Sequence, residues 1–283
     1  MKVYISTGLN KTHLTSSLAK NLIQNKIKDI EFSSGLYEAN VLKEIKGLKA
    51  NSQIHNYFPV PKNPFIINLA SSNEKIFQKT LSHLKRSINF SKKINSKYFS
   101  FHAGFLVDPS VKDFGKSLSS SITNNHNDCI NLFINRVNYL AKYAKNKNVK
   151  ILLENNVITK KNLSKFDKNP FLMSNYSDAI KIMKKCNKNV GLLIDVAHLK
   201  VSAKTLNFNP KNYLFKLNKY IEAYHLSDNN GLADSNENIS ERSWFWKYIK
   251  KDASFYTLEL RNLKIQNIKK QINLAKKKLD IKN

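Results

Sequence analysis

The chain has 283 residues, of which 41% are apolar and 11% aromatic, which supplies a sizeable hydrophobic core and argues against a disordered protein. Its formal net charge is +28, a balance that ordinarily points to nucleic acid, anionic membranes or acidic substrates. However, 44 of the 48 basic residues are Lys and only four are Arg, beside 38 Asn. Specific readers of phosphates and bases favour the Arg fork, so we interpret most of this charge as compositional bias.

The chain carries no signal-peptide pattern and no run of 18 apolar residues. We therefore predict a soluble cytoplasmic protein with no membrane partner. Neither a linker rich in Pro, Gly or Ser nor a long internal repeat divides the sequence, which favours one domain over residues 1–283.

Eight short β-branched or aromatic segments alternate with longer segments of helical periodicity, the pattern of a parallel sheet with crossover helices. The predicted strands are KVYIS (2–6), DIEFS (29–33), SQIHNYF (52–58), YFSFHAG (98–104), VKILLEN (149–155), VGLLIDV (190–196), EAYHLS (222–227) and FYTLEL (255–260). The predicted helices are 13–26, 38–50, 73–95, 124–147, 176–187, 211–221, 243–251 and 263–279.

Eight such units predict an α/β fold with a single (β/α)8 TIM barrel. An open doubly wound sheet is disfavoured, because the chain has only seven Gly and no GxGxxG phosphate turn. The segment SWFWKYI (243–249) is interpreted as the core face of the seventh helix. The longer connections 105–123 and 156–175 follow strand ends, where lids or substrate walls are expected.

Ionisable residues mark the carboxyl ends of six of the eight predicted strands, the end at which a barrel builds its active site. They are His55, His102, Glu154, Asp195, His225 and Glu259. Because a buried carboxylate needs a partner, the three acids in apolar strands predict pairing or metal binding. Three carboxylates and one imidazole suit one divalent ion, Mn²⁺, Mg²⁺, Co²⁺ or Zn²⁺. Glu31, inside the second strand, is interpreted as a structural carboxylate bonded across the barrel.

The strings FHAGF, LLENN, LLIDVAHLK, HLSDNNGLADSN and LELRN resemble the xylose isomerase-like TIM barrel superfamily, especially its sugar phosphate isomerases and epimerases. The resemblance implies that Glu154, Asp195, His225 and Glu259 bind one metal ion, with Mn, Mg or Co expected. It also implies that Glu154 and Glu259 exchange protons with the sugar through a cis-enediolate. The expected substrate contacts are His55, His102, His198, Lys200, Asp228 and Arg261.

Endonuclease IV, the zinc enzyme that cuts DNA at abasic sites, belongs to the same superfamily and is the main alternative. Most of the additional ligands it would need have counterparts here, including His198 and Asp234. However, Asn236 stands where that family has a His, and an amide is a poor zinc ligand. A barrel that binds a ligand without turnover is the third hypothesis. A homodimer is compatible with any of them, although no residue predicts its interface.

Overall fold

The computed structural model describes residues 2–8, 14–113, 118, 124–166 and 168–281. Eight parallel strands pair in chain order, and the last pairs with the first, which closes a barrel and confirms the predicted fold. The strands are β1 (Val3–Ser6), β2 (Asp29–Phe32), β3 (Asn51–His55), β4 (Tyr98–His102), β5 (Lys150–Glu154), β6 (Val190–Asp195), β7 (Ile221–Leu226) and β8 (Phe255–Leu258).

Helices on the outside of the barrel cover the apolar outer faces of the strands. They are α1 (Thr15–Gln24), α2 (Val41–Lys46), α3 (Glu74–Lys93), α4 (His126–Lys145), α5 (Lys160–Leu163), α6 (Tyr176–Lys185), α7 (Val196–Leu206), α8 (Pro210–Leu217) and α9 (Ile265–Lys278). Asn side chains begin four of these helices, α3, α4, α6 and α8, by accepting hydrogen bonds from backbone N–H groups of the first turn. Among the described residues, no helix combines the length and apolar character needed to cross a bilayer.

Side chains alternate between the inside and the outside of the barrel with a period of two residues. Near the amino ends of the strands, the inward positions form a small apolar cluster of Tyr4, Leu152, Leu193, Ala223 and Phe255. This cluster fills the lower part of the barrel. The next inward position after Leu152, Leu193 and Ala223 is Glu154, Asp195 and His225, respectively, so the same alternation turns these polar side chains into the upper part of the barrel.

The connection between β7 and β8 differs from the prediction. Residues 227–254 are all described, and they form turns and bends with no helix, so the helix predicted over 243–251 is wrong. Phe245 and Trp246 are nonetheless buried, with ring centroids 4.6 Å apart. Turns allow the Trp246 indole N–H to donate to Ser240 O at 2.7 Å and the Ser243 hydroxyl to reach Asp228. The apolar spacing in this segment thus reflects aromatic packing and not helical periodicity.

Two helices, and not one, follow β6. The sequence predicts only one helix here, the sixth, over 211–221, which corresponds to α8 and a short 3-10 turn. Helix α7 begins directly after Asp195, with no loop between strand and helix. The connection after β5 contains α5, whereas residues 114–117 and 119–123 of the predicted wall after β4 lie outside the described residues.

Candidate metal centre

Glu154 lies at the centre of a group of imidazoles inside the mouth of the barrel. Its side chain is fully buried at the end of β5. Its Oε2 lies 3.3 Å from both His55 Nε2 and His102 Nδ1. Its Oε1 lies 3.3 Å from His225 Nδ1 and 3.6 Å from His198 Nδ1. The structure therefore brings together the strand-end residues of β3, β4, β5 and β7 around one carboxylate.

Asp195 uses its two carboxylate oxygens differently. Oδ1 caps α7 by accepting hydrogen bonds from the backbone N–H groups of Ala197 at 2.7 Å and His198 at 2.8 Å. Oδ2 is buried and has no hydrogen-bond partner. The backbone of Asp195 is fixed by Asn155, whose side chain accepts from Asp195 N–H at 2.9 Å and donates to Asp195 O at 3.1 Å. Because Oδ1 is held by the start of α7, Oδ2 of Asp195 is left free and faces the cluster.

His198, on the first turn of α7, is held from both ring nitrogens. Nδ1 lies 3.0 Å from Asn155 O, and Nε2 lies 3.1 Å from Asp234 Oδ2. Both partners can only accept, so both nitrogens act as donors. Burial lowers the pKa of His198, but Asp195 and Asp234 outweigh burial and raise it well above its ordinary value. Acceptors at both ring nitrogens therefore fix the orientation of His198, and either N–H would reach another oxygen only by leaving its present partner.

The two strands that end without a candidate ligand, β1 and β2, contact the candidate ligands at the ends of β7 and β8. Glu31 on β2 is fully buried and lies 3.0 Å through Oε1 and 3.2 Å through Oε2 from His225 Nε2. The Ser6 hydroxyl on β1 donates to Glu259 Oε1 at 3.0 Å. That same oxygen lies 3.6 Å from His225 Nδ1. Because the barrel is closed, the first strands support the last ones.

The carboxylates of the cluster are too close to ionise independently. Burial, together with the charges of Glu154 and Asp195, raises the pKa of Glu259 to about 8. Burial and the neighbouring carboxylates Asp234 and Glu154 raise the pKa of Asp195 to about 6. Burial also acts to raise the pKa of Glu154, but the surrounding histidines, His102 first, hold it well below its ordinary value. Neighbouring like charges shift pKa values in this way, and such shifts cluster at functional sites.

The donor set fits a divalent cation. Three of the predicted ligands have buried atoms that lack a hydrogen-bond partner: Glu154 Oε1 and Oε2, Asp195 Oδ2 and His225 Nδ1. Ligand atoms of these three residues lie within 4.8 Å of one another, and Glu259 adds a third carboxylate beside His225. Unpaired buried acceptors are costly, and an ion between them would satisfy them all. The oxygen-rich set with one imidazole suits Mn²⁺, Mg²⁺ or Co²⁺ and also accepts Zn²⁺.

A second trio shares Glu154. Ligand atoms of His55, His102 and Glu154 also lie within 4.8 Å of one another. His55 Nδ1 is 3.0 Å from the Ser100 hydroxyl, which fixes the ring with Nε2 toward Glu154. Burial lowers the pKa of His55 to about 4, so this imidazole is neutral and available as a ligand.

Three of the sequence-predicted substrate contacts lie apart from this cluster. Lys200, on α7, donates to Asp228 Oδ1 at 2.7 Å and to Asn229 O. Asp228 Oδ2 accepts from Ser243 at 2.7 Å, so both of its oxygens are engaged by the protein. Arg261 is exposed two residues beyond Glu259. Lys200 and Asp228 thus fasten the β7–β8 connection to α7.

Sequence reasoning gave no site role to Ser6 and Asn155 and took Glu31 only as a structural carboxylate. Only the positions of Ser6 and Glu31 could have indicated them. The two are register partners on β1 and β2 and point into the barrel, as the candidate ligands do. Asn155 follows Glu154 directly, as the last residue of the predicted fifth strand. Such supporting residues are recognisable only once the partner strand is known.

The chain belongs to the xylose isomerase-like TIM barrel family, whose profile matches residues 24–256. No curated protein sequence matches the chain. Among solved structures, a D-tagatose 3-epimerase-like protein is similar at 19% identity, with a TM-score of 0.71 and coverage of 99% of this chain and 98% of that one. D-psicose 3-epimerase from Clostridium cellulolyticum is similar at 13% identity, with a TM-score of 0.64 and coverage of 99% and 94%. L-ribulose 3-epimerase is similar at 15% identity, with a TM-score of 0.64 and coverage of 96% and 86%.

Proposed function

We propose that the protein is a metal-dependent isomerase or epimerase of a sugar or sugar phosphate. Glu154, Asp195, His225 and Glu259 are its metal ligands, holding one Mn²⁺, Mg²⁺ or Co²⁺. The observation that carries the proposal is the convergence of unpaired buried acceptor atoms from Glu154, Asp195 and His225 at the mouth of the barrel. Family membership and the sugar epimerases among similar structures support the choice of substrate class.

Glu154 and Glu259 are the proposed acid/base pair. When bound, the ion would polarise the oxygens of an α-hydroxy carbonyl group and acidify the adjacent C–H bond. One carboxylate takes the carbon-bound proton, leaving a cis-enediolate, and the other returns a proton. Return to the opposite face of the same carbon gives an epimer, and return to the neighbouring carbon gives an isomer. Both carboxylates lie beside His225 Nδ1, at 3.3 and 3.6 Å, so they serve the same small volume.

His198 and His102 are the proposed contacts to substrate oxygens. His198 is held by Asn155 and Asp234, and its Nε2–H would donate to a substrate hydroxyl or to developing negative charge in exchange for the contact with Asp234. The side chain of His102 is 30% exposed and is the most accessible of the imidazoles around Glu154. Lys200 would reach a substrate phosphate only by leaving Asp228, whereas Arg261 is exposed and needs no such exchange.

Metal content and proton exchange test this proposal. Elemental analysis of the reconstituted protein should give about one ion per chain, and incubation with ketoses, aldoses and their phosphates in D2O should introduce deuterium beside the carbonyl group. Glu154→Gln should reduce exchange by about 10²–10⁴-fold with unchanged circular dichroism. The matched control is Glu222→Gln, which alters a half-buried carboxylate near the amino end of β7 that is paired with Lys150. An undiminished rate in Glu154→Gln would contradict the assigned base.

A zinc endonuclease acting at abasic sites is the second candidate, favoured by the second trio around Glu154 and by the His198–Asp234 pair. The amide of Asn236 argues against a complete third metal site, because its Oδ1 accepts from Ser227 Oγ at 3.1 Å. Two or three Zn per chain, with cleavage of abasic DNA that weakens steeply as salt rises, would place this candidate first. One metal per chain and no cleavage would exclude it.

A further inference from the structure

Glu31 is a fully buried carboxylate that the proton transfers above do not use. It lies on β2, in register between Ser6 on β1 and Gln53 on β3. Its Oε2 accepts from the Thr257 hydroxyl at 3.0 Å and from His225 Nε2 at 3.2 Å, and its Oε1 lies 3.0 Å from the same nitrogen. An apolar side chain would fill this place without the desolvation cost of several kcal/mol that a buried charge carries.

The contact with His225 fixes which ring nitrogen faces the cluster. A carboxylate can only accept, so Nε2 of His225 carries a proton and donates it to Glu31. Nδ1 is then directed at Glu154 Oε1, at 3.3 Å, and at Glu259 Oε1, at 3.6 Å. Nδ1 is buried and has no hydrogen-bond partner of its own. The ring orientation and the free nitrogen are therefore both consequences of Glu31.

We propose that Glu31 is a positioning residue that holds the His225 ring with Nδ1 free for the metal ion. This inference rests on the proposed function, since it assigns His225 as a ligand. A carboxylate behind a ligating histidine orients the ring, selects the tautomer and makes the ligating nitrogen more basic. Glu31 thereby does for His225 what the hydroxyl of Ser6 does for Glu259. The two strands without ligands are the support of the site.

Metal affinity measured without substrate tests the inference. Mn²⁺ titration of the purified protein by calorimetry should give a dissociation constant about 10–100-fold larger for Glu31→Gln than for the wild type. Thr257→Val is the matched control, because it removes the other hydrogen bond to Glu31 and leaves the contact with His225 in place. This control should change the affinity far less than Glu31→Gln. Equal Mn²⁺ affinity in Glu31→Gln and wild type would overturn the proposal.

The absorption spectrum of the Co²⁺-loaded protein gives a second readout, which a purely structural role of Glu31 would not change. Reorientation of the His225 ring should alter the visible bands in Glu31→Gln and leave them unaltered in Thr257→Val. Glu31→Asp keeps the negative charge but moves it away from His225 Nε2, so it should weaken Mn²⁺ binding to an intermediate degree. It replaces Glu31→Gln in the experiment if that variant does not fold. Wild-type-like affinity and spectra in Glu31→Asp and Glu31→Gln would overturn the role.

Failure of the positioning role and failure of the proposed function give different results. If the wild type binds Mn²⁺, loses affinity in Glu31→Gln and exchanges no sugar proton, the positioning role stands and the sugar chemistry is wrong. If the wild type exchanges sugar protons and Glu31→Gln binds Mn²⁺ as tightly, only the positioning role fails. A wild type that binds none of Mn²⁺, Co²⁺ and Zn²⁺ overturns both.

Discussion

The two carboxylate oxygens of Asp195 have separable roles, and Asp195→Asn separates them. Oδ1 caps α7, whereas Oδ2 has no partner and faces the cluster. Asn is as good an N-cap as Asp, so the variant should keep α7 in place. It should lose the charged oxygen that a metal ion needs.

Without metal, Asp195→Asn should stabilise the protein at pH 7. Burial and neighbouring carboxylates raise the pKa of Asp195 from 3.8 to about 6. The ionised side chain therefore costs the native state up to about 3 kcal/mol at pH 7, where the unfolded chain ionises freely. At roughly 2 °C per kcal/mol for a chain of this size, Tm should rise by up to about 6 °C. The gain should shrink as pH falls below 6, because the native wild-type carboxyl then becomes protonated.

With Mn²⁺ bound, the wild type should become more stable than Asp195→Asn. Mn²⁺ at about 100 times its dissociation constant adds about 2.7 kcal/mol to the wild type, or roughly 5 °C. Asp195→Asn should gain little, because one of its ligands is gone. Differential scanning calorimetry with EDTA and with Mn²⁺ measures both effects in one series.

Two further variants complete the experiment. Asp195→Ala lacks the cap and should be about 1 kcal/mol less stable than Asp195→Asn. Asp178→Asn changes a buried carboxylate on α6 whose pKa is also raised by burial, and it should keep the full Mn²⁺ shift. An undiminished Mn²⁺ shift in Asp195→Asn, or a metal-free variant less stable than wild type, would refute the reasoning.

Two other predictions concern the surroundings of the site. Gly104→Ala should destabilise by about 1–3 kcal/mol in urea unfolding, because a Cβ there would lie 2.6 Å from Ala70 Cβ. Gly47→Ala, with no contact closer than 3.6 Å, should be neutral or stabilising, and equal losses at the two positions would contradict the steric argument. Burial holds the pKa of His83, whose Nε2 lies 3.2 Å from Asn56 O, at about 4, below its unfolded value of 6.5. The contribution of His83 to the free energy of unfolding is complete above pH 6.5 and falls by roughly 2 kcal/mol at pH 5. His83→Gln should remove this part of the pH dependence. Chemical unfolding at pH 7 and at pH 5 measures it.

The strand order and the convergence of polar side chains at the mouth of the barrel were predictable. Both follow from the alternation of side chains along a strand and from the carboxyl ends of the strands lying at one end of the barrel. Glu154, Asp195 and His225 interrupt apolar runs at the carboxyl ends of their strands, and that signal is local. The start of α7 was not predicted, since β6 runs into it through Asp195 without a turn residue to mark the boundary. Residues 243–251 were misassigned because buried aromatic rings imitate the apolar spacing of a helix.

The partners of the site residues could not be predicted, since they depend on contacts remote in sequence. Nothing near Lys200 in the chain indicates that it binds Asp228, 28 residues away. Glu31 was recognised as a buried carboxylate, but its partner His225 lies 194 residues further along. Local sequence patterns thus identify which residues reach the mouth of the barrel. What each of them contacts depends on which strands become neighbours when the barrel closes.

The hydrogen bond between Ser6 and Glu259 spans 253 residues, nearly the whole chain, and links site assembly to the order of synthesis. A nascent chain can form β1 and β2 early, but Glu31 then has neither Thr257 nor His225 beside it, and β1 is an unpaired edge until β8 arrives. Contacts of such long range slow folding. A chain interrupted before β7 would therefore leave the Glu31 carboxylate without its imidazole partner and β1 as an open sheet edge, both of which favour aggregation and recognition by cellular quality control.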